Sequence, residues 1–156
     1  MSPALFDLYA DRTSIVVVVD VLRATSTMCI AFEMGVKKMI PVSTVDQALE
    51  YKVSNPDYIL AAERNGAPVT GFDFGNSPQA YLKPDMKGKT VVMTTTNGTK
   101  SISIAKKDHQ VVIGSFLNLD ALAKWLIGQQ RDVLIFCAGW KNKFNLEDTL
   151  FAGALS

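Results

Sequence analysis

The chain has 156 residues, enough for one domain of ordinary size with a real core. Apolar residues make up 48% and charged residues 20%, a balance that excludes a disordered chain. The net charge is +1 and basic residues are not interleaved with aromatic ones, so neither nucleic acid nor an anionic membrane is an expected partner.

In chain order, β-branched apolar runs alternate with helical patterns. The strands are expected at 15–20, 38–42, 58–62, 90–94, 110–114 and 132–137. Most are continuously hydrophobic rather than alternating, the pattern of strands covered on both faces. The helices are expected at 27–34, 45–52, 98–106, 119–128 and 146–155. Thr44 is placed to cap the second, and Asn118 the fourth, where Leu119, Leu122, Ala123 and Leu126 fall at helical spacing. This alternation predicts a single α/β domain over residues 1–156: three layers, α/β/α, around a largely parallel or mixed central sheet. Residues 63–83 break the rhythm. They are rich in Gly, Pro and Asn, hold Phe72 and Phe74, and form a loop long enough to expect a function of it. No apolar run is long enough to span a membrane and nothing reads as a signal peptide. Cys29 and Cys137 lie in apolar runs outside any CxxC, so they read as reduced core residues of a cytoplasmic protein.

The polar residues fall just after the strands. Asp20 closes the first, followed by Arg23, Thr25 and Ser26. Glu63 and Arg64 close the third. Thr94-Thr95-Thr96-Asn97-Gly98-Thr99 leads from the fourth into a helix, Ser115 and Asn118 follow the fifth, and Glu147 and Asp148 come soon after the sixth. In a parallel sheet all of these would meet at the C-terminal edge, where such sheets bind ligands. The threonine-rich turn offers backbone N–H groups and hydroxyls at the positive end of a helix dipole, a geometry that suits phosphate. Carboxylates beside arginines and hydroxyls suit a hard cation with an oxyanion, and oxygen-only ligation suits Mg²⁺. The one histidine, His109, precedes a strand and reads as a surface residue, which argues against a zinc or iron centre. Plainer roles stay open for each residue. Asp20 suits a helix cap, Arg23 and Arg64 ion pairs, Asp73 an Asx-turn, Glu147 and Asp148 first-turn acids, and Ser115 and Asn118 a turn and a cap.

Several phosphate chemistries do not fit. A phosphatase with an aspartyl nucleophile at Asp20 needs a second acid two residues on, where Leu22 stands. A cysteine phosphatase using Cys137 needs Arg six residues on, where Lys143 stands. There is no GxxxxGK[ST] loop, and no GxGxxG follows the first strand.

The segment Val17-Val18-Val19-Asp20-Val21-Leu22-Arg23-Ala24-Thr25-Ser26-Thr27 resembles the signature of the 2-phosphosulfolactate phosphatase family. Ala62-Glu63-Arg64, Gly71-Phe72-Asp73-Phe74-Gly75-Asn76-Ser77-Pro78, the threonine turn, Gly114-Ser115-Phe116-Leu117-Asn118, Cys137-Ala138-Gly139 and Leu146-Glu147-Asp148 resemble its other motifs, in the same order. The resemblance implies an α/β fold and a Mg²⁺-dependent acid phosphatase that converts 2-phospho-3-sulfolactate to 3-sulfolactate and phosphate, a step in making coenzyme M. A different phosphorylated hydroxy acid remains open as substrate. Family members carry a further strand before the segment matching residues 2–5 and continue past the last helix, so the chain resembles an internal portion of a longer pattern. A homo-oligomer is compatible with sheet edges left open in that way.

On this reading Asp20, Arg23, Arg64 and Asn97 form the catalytic group. Thr25, Asn76, Ser77, Thr95, Thr96, Gly98, Thr99 and Ser115 bind the substrate, and Asp20, Glu63, Asp73 and Asp148 supply metal ligands. In-line attack by water is expected ahead of a phosphorylated Asp20. Two other classes stay open: a non-catalytic anion-binding α/β domain, and a nucleotide- or sugar-phosphate-handling enzyme.

Overall fold

A computed structural model describes residues 3–140 and 143–156. It contains strands β1 (Ile15–Val19), β2 (Lys38–Pro41), β3 (Ile59–Arg64), β4 (Ala67–Pro68), β5 (Thr90–Thr94), β6 (Gln110–Gly114) and β7 (Val133–Cys137). Its helices are α1 (Phe6–Tyr9), α2 (Ala24–Glu33), α3 (Val45–Ser54), α4 (Gly98–Ala105), α5 (Leu119–Gln129) and α6 (Leu146–Leu155). The alternation of strand and helix gives an α/β fold, but the strands do not join into one central sheet. They hydrogen-bond as two, in the orders β6-β1-β7 and β2-β5-β3-β4. Every pairing is parallel except the short β3–β4 hairpin.

Alternation along the strands assigns the layers. Val16 and Val18 of β1 share a buried core with Ala61, Val91 and Met93 of the second sheet and with Met28, Ala31, Ile102 and Ala105 of α2 and α4. The opposite face of β1, Ile15, Val17 and Val19, packs on Leu122, Leu126 and Phe151 of α5 and α6. Val92 and Leu60 pack on Ala48 of α3. Both sheets therefore share α2 and α4 on one side and carry the remaining long helices on the other. β1, central in its sheet, is buried along its whole length, which its unbroken Ile-Val-Val-Val-Val run requires.

Local signals explain most boundaries. Thr44 caps α3 by accepting the Gln47 N–H at 3.2 Å, while Gln47 Oε1 accepts the Ser43 N–H at 3.0 Å. Asn118 stands at the start of α5 but does not cap it: Oδ1 accepts the Ser115 N–H and Nδ2 donates to Ile113 O. Helix α2 begins at Ala24, three residues before its expected start. Asn65 and Gly66, both at positive φ, turn β3 into β4. Beyond that hairpin the long loop runs back along β3, where Phe74 bridges to Ala61 and packs on the buried Tyr81. His109 is half-buried rather than on the surface, its ring edge-on to Phe6. Among the described residues no helix is long and apolar enough to cross a membrane.

Candidate active site at the strand ends

Within each sheet the parallel strands put their carboxyl ends on the same side, and the groups that follow β1, β3, β5 and β7 meet. Asp20, the residue after β1, is buried. Thr25 holds its backbone on both sides, donating to Asp20 O at 2.8 Å and accepting from its N–H at 3.1 Å. The carboxylate Oδ1 accepts the Ala24 N–H at the start of α2 at 3.3 Å. Oδ2 lies against the first residue of α4: a methyl placed on Gly98 would come within 2.5 Å of it and 2.5 Å of Ala24 Cβ. Only glycine allows the β5–α4 turn to approach this closely. Asp20 thus sits between two helix N-termini.

Two more acids stand near. Burial pushes the Asp20 carboxyl up to about 7, and the charge of Asp148 adds to the effect, as does that of Glu63 more weakly. Asp148, on the first turn of α6, is fully buried. Its oxygens accept N–H groups from two separate loops, Oδ1 from Val21 at 2.9 Å and Oδ2 from Gly139 at 3.1 Å. Burial still raises its pKa, against the lowering by those N–H groups and the Asn145 side chain. Glu63 Oε1 accepts the Gly66 N–H and, at 3.3 Å, the Thr96 hydroxyl.

The guanidinium groups lie beside these acids without pairing to them. Arg64 donates to Glu63 O at 2.7 Å and to Thr94 Oγ1 at 2.8 Å, joining the ends of β3 and β5. Arg23 donates to Gly66 O at 3.4 Å. Among the described residues the one ion pair is Lys52 with Asp73, at 3.9 Å.

That pair marks the one proposed metal ligand that is not brought to the cluster. Asp73 Oδ2 accepts the Leu60 N–H at 2.8 Å, near the start of β3, and the side chain is 48% exposed. Glu63 is three residues further along the strand, roughly 10 Å away at a rise of about 3.3 Å per residue. The loop folds back along β3, so the order of motifs in the sequence misplaces this acid.

The threonine turn also works differently from a simple row of donors. Thr95 Oγ1 accepts the Thr99 N–H, and Thr99 Oγ1 accepts the Thr95 N–H while donating to Thr95 O. Both side chains are buried, so these hydroxyls shape the turn rather than face a ligand. Thr96 and Asn97 are half-buried, and Asn97 makes no capping bond with its side chain. Thr25 is likewise consumed by the Asp20 backbone. Asn76 is buried at the start of α2's flank, its carbonyl accepting from Thr27 at 3.3 Å and its Oδ1 without a partner among the described residues. Ser77 opens a 3₁₀ turn, Pro78–Tyr81, without capping it. Ser115 Oγ meets Ser26 Oγ at 2.9 Å, a contact between the β6–α5 turn and the first turn of α2 that spacing along the chain did not reveal. Cys137 is no nucleophile candidate: burial raises its thiol pKa, and Sγ donates to Asp148 O at 3.6 Å.

The donor set fits a hard dication. The acids gathered here offer oxygen donors, and the nearby sulfur, Cys137 Sγ, is engaged with Asp148 O. Among the described residues no three His, Cys, Asp or Glu side chains form a ready-made cage. Mg²⁺ tolerates this, because it takes one or two carboxylates and keeps water or substrate oxygens in its other positions.

Fold and site together define an α/β domain whose strand ends gather buried acids, unpaired guanidinium groups and a helix-opening threonine turn. The chain belongs to the 2-phosphosulpholactate phosphatase family, whose sequence model matches residues 2–156. It is 42% identical over 142 residues to a probable 2-phosphosulfolactate phosphatase of Caldanaerobacter subterraneus subsp. tengcongensis, covering 90% of this chain and 59% of that protein. A protein of the same name from Thermotoga maritima is 45% identical over 139 residues, covering 89% and 60%. One from Clostridium beijerinckii is 40% identical over 144 residues, covering 91% and 60%. The chain thus spans about three-fifths of the length of these curated relatives.

Proposed function

We propose that this chain carries the site of a Mg²⁺-dependent phosphomonoesterase acting on 2-phospho-3-sulfolactate, or on a closely similar phosphorylated hydroxy acid, to release phosphate and the free hydroxy acid. One observation carries the reading. Among the described residues, Asp20, Glu63 and Asp148 are buried together without a cationic partner, while Arg23 and Arg64 stand beside them without a carboxylate partner. Charges left this way in a poorly solvated site call for a cation on one side and an anion on the other. A phosphate monoester with a divalent metal supplies both. The names of the relatives agree with this choice.

Asp20 and Glu63 are the residues we assign to the metal, because both oxygens of Asp148 are already engaged by backbone N–H groups. A bound Mg²⁺ screens charge developing on the phosphoryl group and acidifies a water. Arg23 and Arg64 hold the oxyanions of the substrate, since a planar guanidinium matches two oxygens at once. The Asn97 amide and the N–H groups at the start of α4 hold the phosphoryl oxygens. Water attacks phosphorus opposite the ester oxygen, the P–O bond breaks, and the hydroxy acid leaves with a proton. Asp20 and Glu63 would orient the attacking water beside the metal, and the proton that this water loses goes to the leaving oxygen. The free thiols Cys29 and Cys137 suit a reducing, cytoplasmic setting.

The test is release of inorganic phosphate from 2-phosphosulfolactate and from 2-phospholactate, with Mg²⁺ and with the metal chelated. Turnover that requires the metal is expected on at least one. Folded protein that binds phosphate but turns over neither substrate would overturn the enzyme reading and leave an anion-binding domain.

A further inference from the structure

We propose that Asp148 is a positioning residue: through its hydrogen bond to the Val21 N–H it sets the peptide that follows Asp20 and so fixes that carboxylate against Gly98. The kinetic part of this proposal rests on the phosphatase reading above; the geometric part does not.

The observation is that Val21 is gripped by side chains at both ends. Its N–H donates to Asp148 Oδ1 at 2.9 Å, and its C=O accepts the Ser26 hydroxyl at 2.7 Å. With the Ser26 proton committed to Val21, Ser115 must donate across the 2.9 Å Ser26–Ser115 contact. Ser115 Oγ in turn accepts the Leu117 N–H at 3.2 Å. Every donor therefore points the same way, from the β6–α5 turn through α2 and the β1–α2 turn to a buried carboxylate on α6. The Asp148 bond falls on the N–H of peptide 20–21 and the Ser26 bond on the C=O of peptide 21–22, so two successive peptides after Asp20 are held in place. The chain crosses all three strand ends of the first sheet, since Asp148 also holds Gly139 beyond β7 at 3.1 Å. Val21, Ser115 and Asp148 are buried, so the Val21 N–H and the Asp148 carboxylate have little access to water as an alternative partner. A rigid peptide 20–21 leaves the Asp20 side chain one place to go, between Ala24 and Gly98.

The experiment compares the parent chain with Asp148→Asn and Ser26→Ala, by amide exchange and ¹H–¹⁵N shifts in NMR and by phosphate release. Asn keeps one acceptor but turns an NH₂ toward the other N–H, so either Val21 or Gly139 must lose its bond. Asp148→Asn is expected to lower kcat about 10- to 100-fold, the range for loss of a supporting partner, with KM and the Mg²⁺ activation constant within about threefold. The Val21 or Gly139 amide loses protection and the Gly98 amide shifts. Ser26→Ala gives the same pattern with a smaller, few-fold loss of kcat. Unchanged kcat in a folded Asp148→Asn protein whose amide protection has dropped would overturn the proposal. So would a change in KM or in the Mg²⁺ constant as large as that in kcat, because Asp148 would then touch substrate or metal. Should Asp148→Asn fail to fold, Ser26→Ala decides by the same criteria. If the parent releases no phosphate, the phosphatase reading falls by itself. The positioning claim is then judged on the Gly98 amide, and no shift there in either variant would end it.

Discussion

Asp20 and Asp73 are both acids that follow motifs in the sequence, and the molecule treats them in opposite ways. Asp20 lies in a short turn where Thr25 ties its backbone, two helix N-termini flank its carboxylate, and the charges of Asp148 and Glu63 raise its pKa. Asp73 lies in a long excursion, half-exposed, holding a single N–H of β3 and standing 3.9 Å from Lys52. The first is desolvated and, among the described residues, forms no ion pair; the second has both water and a partner. Electrostatic energy of the kind that binds ions or shifts protons is available only at the first.

The comparison can be broken most sharply at Gly98. Gly98→Ala would force a methyl to 2.5 Å from Asp20 Oδ2 and Ala24 Cβ. Overpacking of this kind costs about 1–3 kcal/mol. Because the displaced group is the carboxylate we propose for the metal, activity should fall to background; thermal denaturation beside phosphate release measures both. Next comes Asp20→Asn, expected to cost on the order of 10²–10³ in kcat, the scale for one electrostatic stabiliser. Its stability should change in a pH-dependent way. The Asp20 pKa is raised from an ordinary 3.8 to about 7 in the fold, so its contribution is fully present below 3.8 and lost as pH rises through about 7. In metal-free buffer Asp20→Asn should therefore gain on the parent between pH 4 and pH 7, by a few kcal/mol at order of magnitude. A parallel pair of stability curves would show that Asp20 is not desolvated. Arg64→Lys keeps the charge but loses the fork that spans Glu63 O and Thr94 Oγ1. A drop of about tenfold in kcat/KM is expected there. Asp73→Asn, at the other pole, should leave turnover and Mg²⁺ response unchanged and stability within about 0.5 kcal/mol, as for any exposed pair.

The strands were legible because continuous β-branched runs have few other homes. Residues 90–94 and 110–114 are strands at the expected bounds, and the rest shift by a residue or two. Division into two sheets was not legible, since a buried run carries no mark of its neighbour. The β3–β4 hairpin did have a signal, the Asn65-Gly66 pair, which suits a two-residue turn. Overlooking it left Asp73 on the wrong end of β3. Positions just after strands pointed to Asp20, Glu63 and Arg64, because parallel strands send those positions to one edge. They could not tell which hydroxyls would remain free. Thr95 and Thr99 look like ligand donors in sequence, yet each hydroxyl oxygen accepts the other's N–H and Thr99 donates its hydroxyl to Thr95 O. The Ser26–Ser115 pair joins residues 89 apart, and only three-dimensional packing discloses it.

The two sheets also end differently. In the second, both outer strands finish in proline, Pro41 in β2 and Pro68 in β4, and proline offers no N–H for a foreign strand to join. The first sheet is bounded by Gln-Val-Val-Ile-Gly and Val-Leu-Ile-Phe-Cys, with neither proline nor charge inside either strand. Self-association into fibrils or precipitates has its natural starting point there, and a lysine facing outward on β6 or β7 is where solubility engineering of this chain would begin.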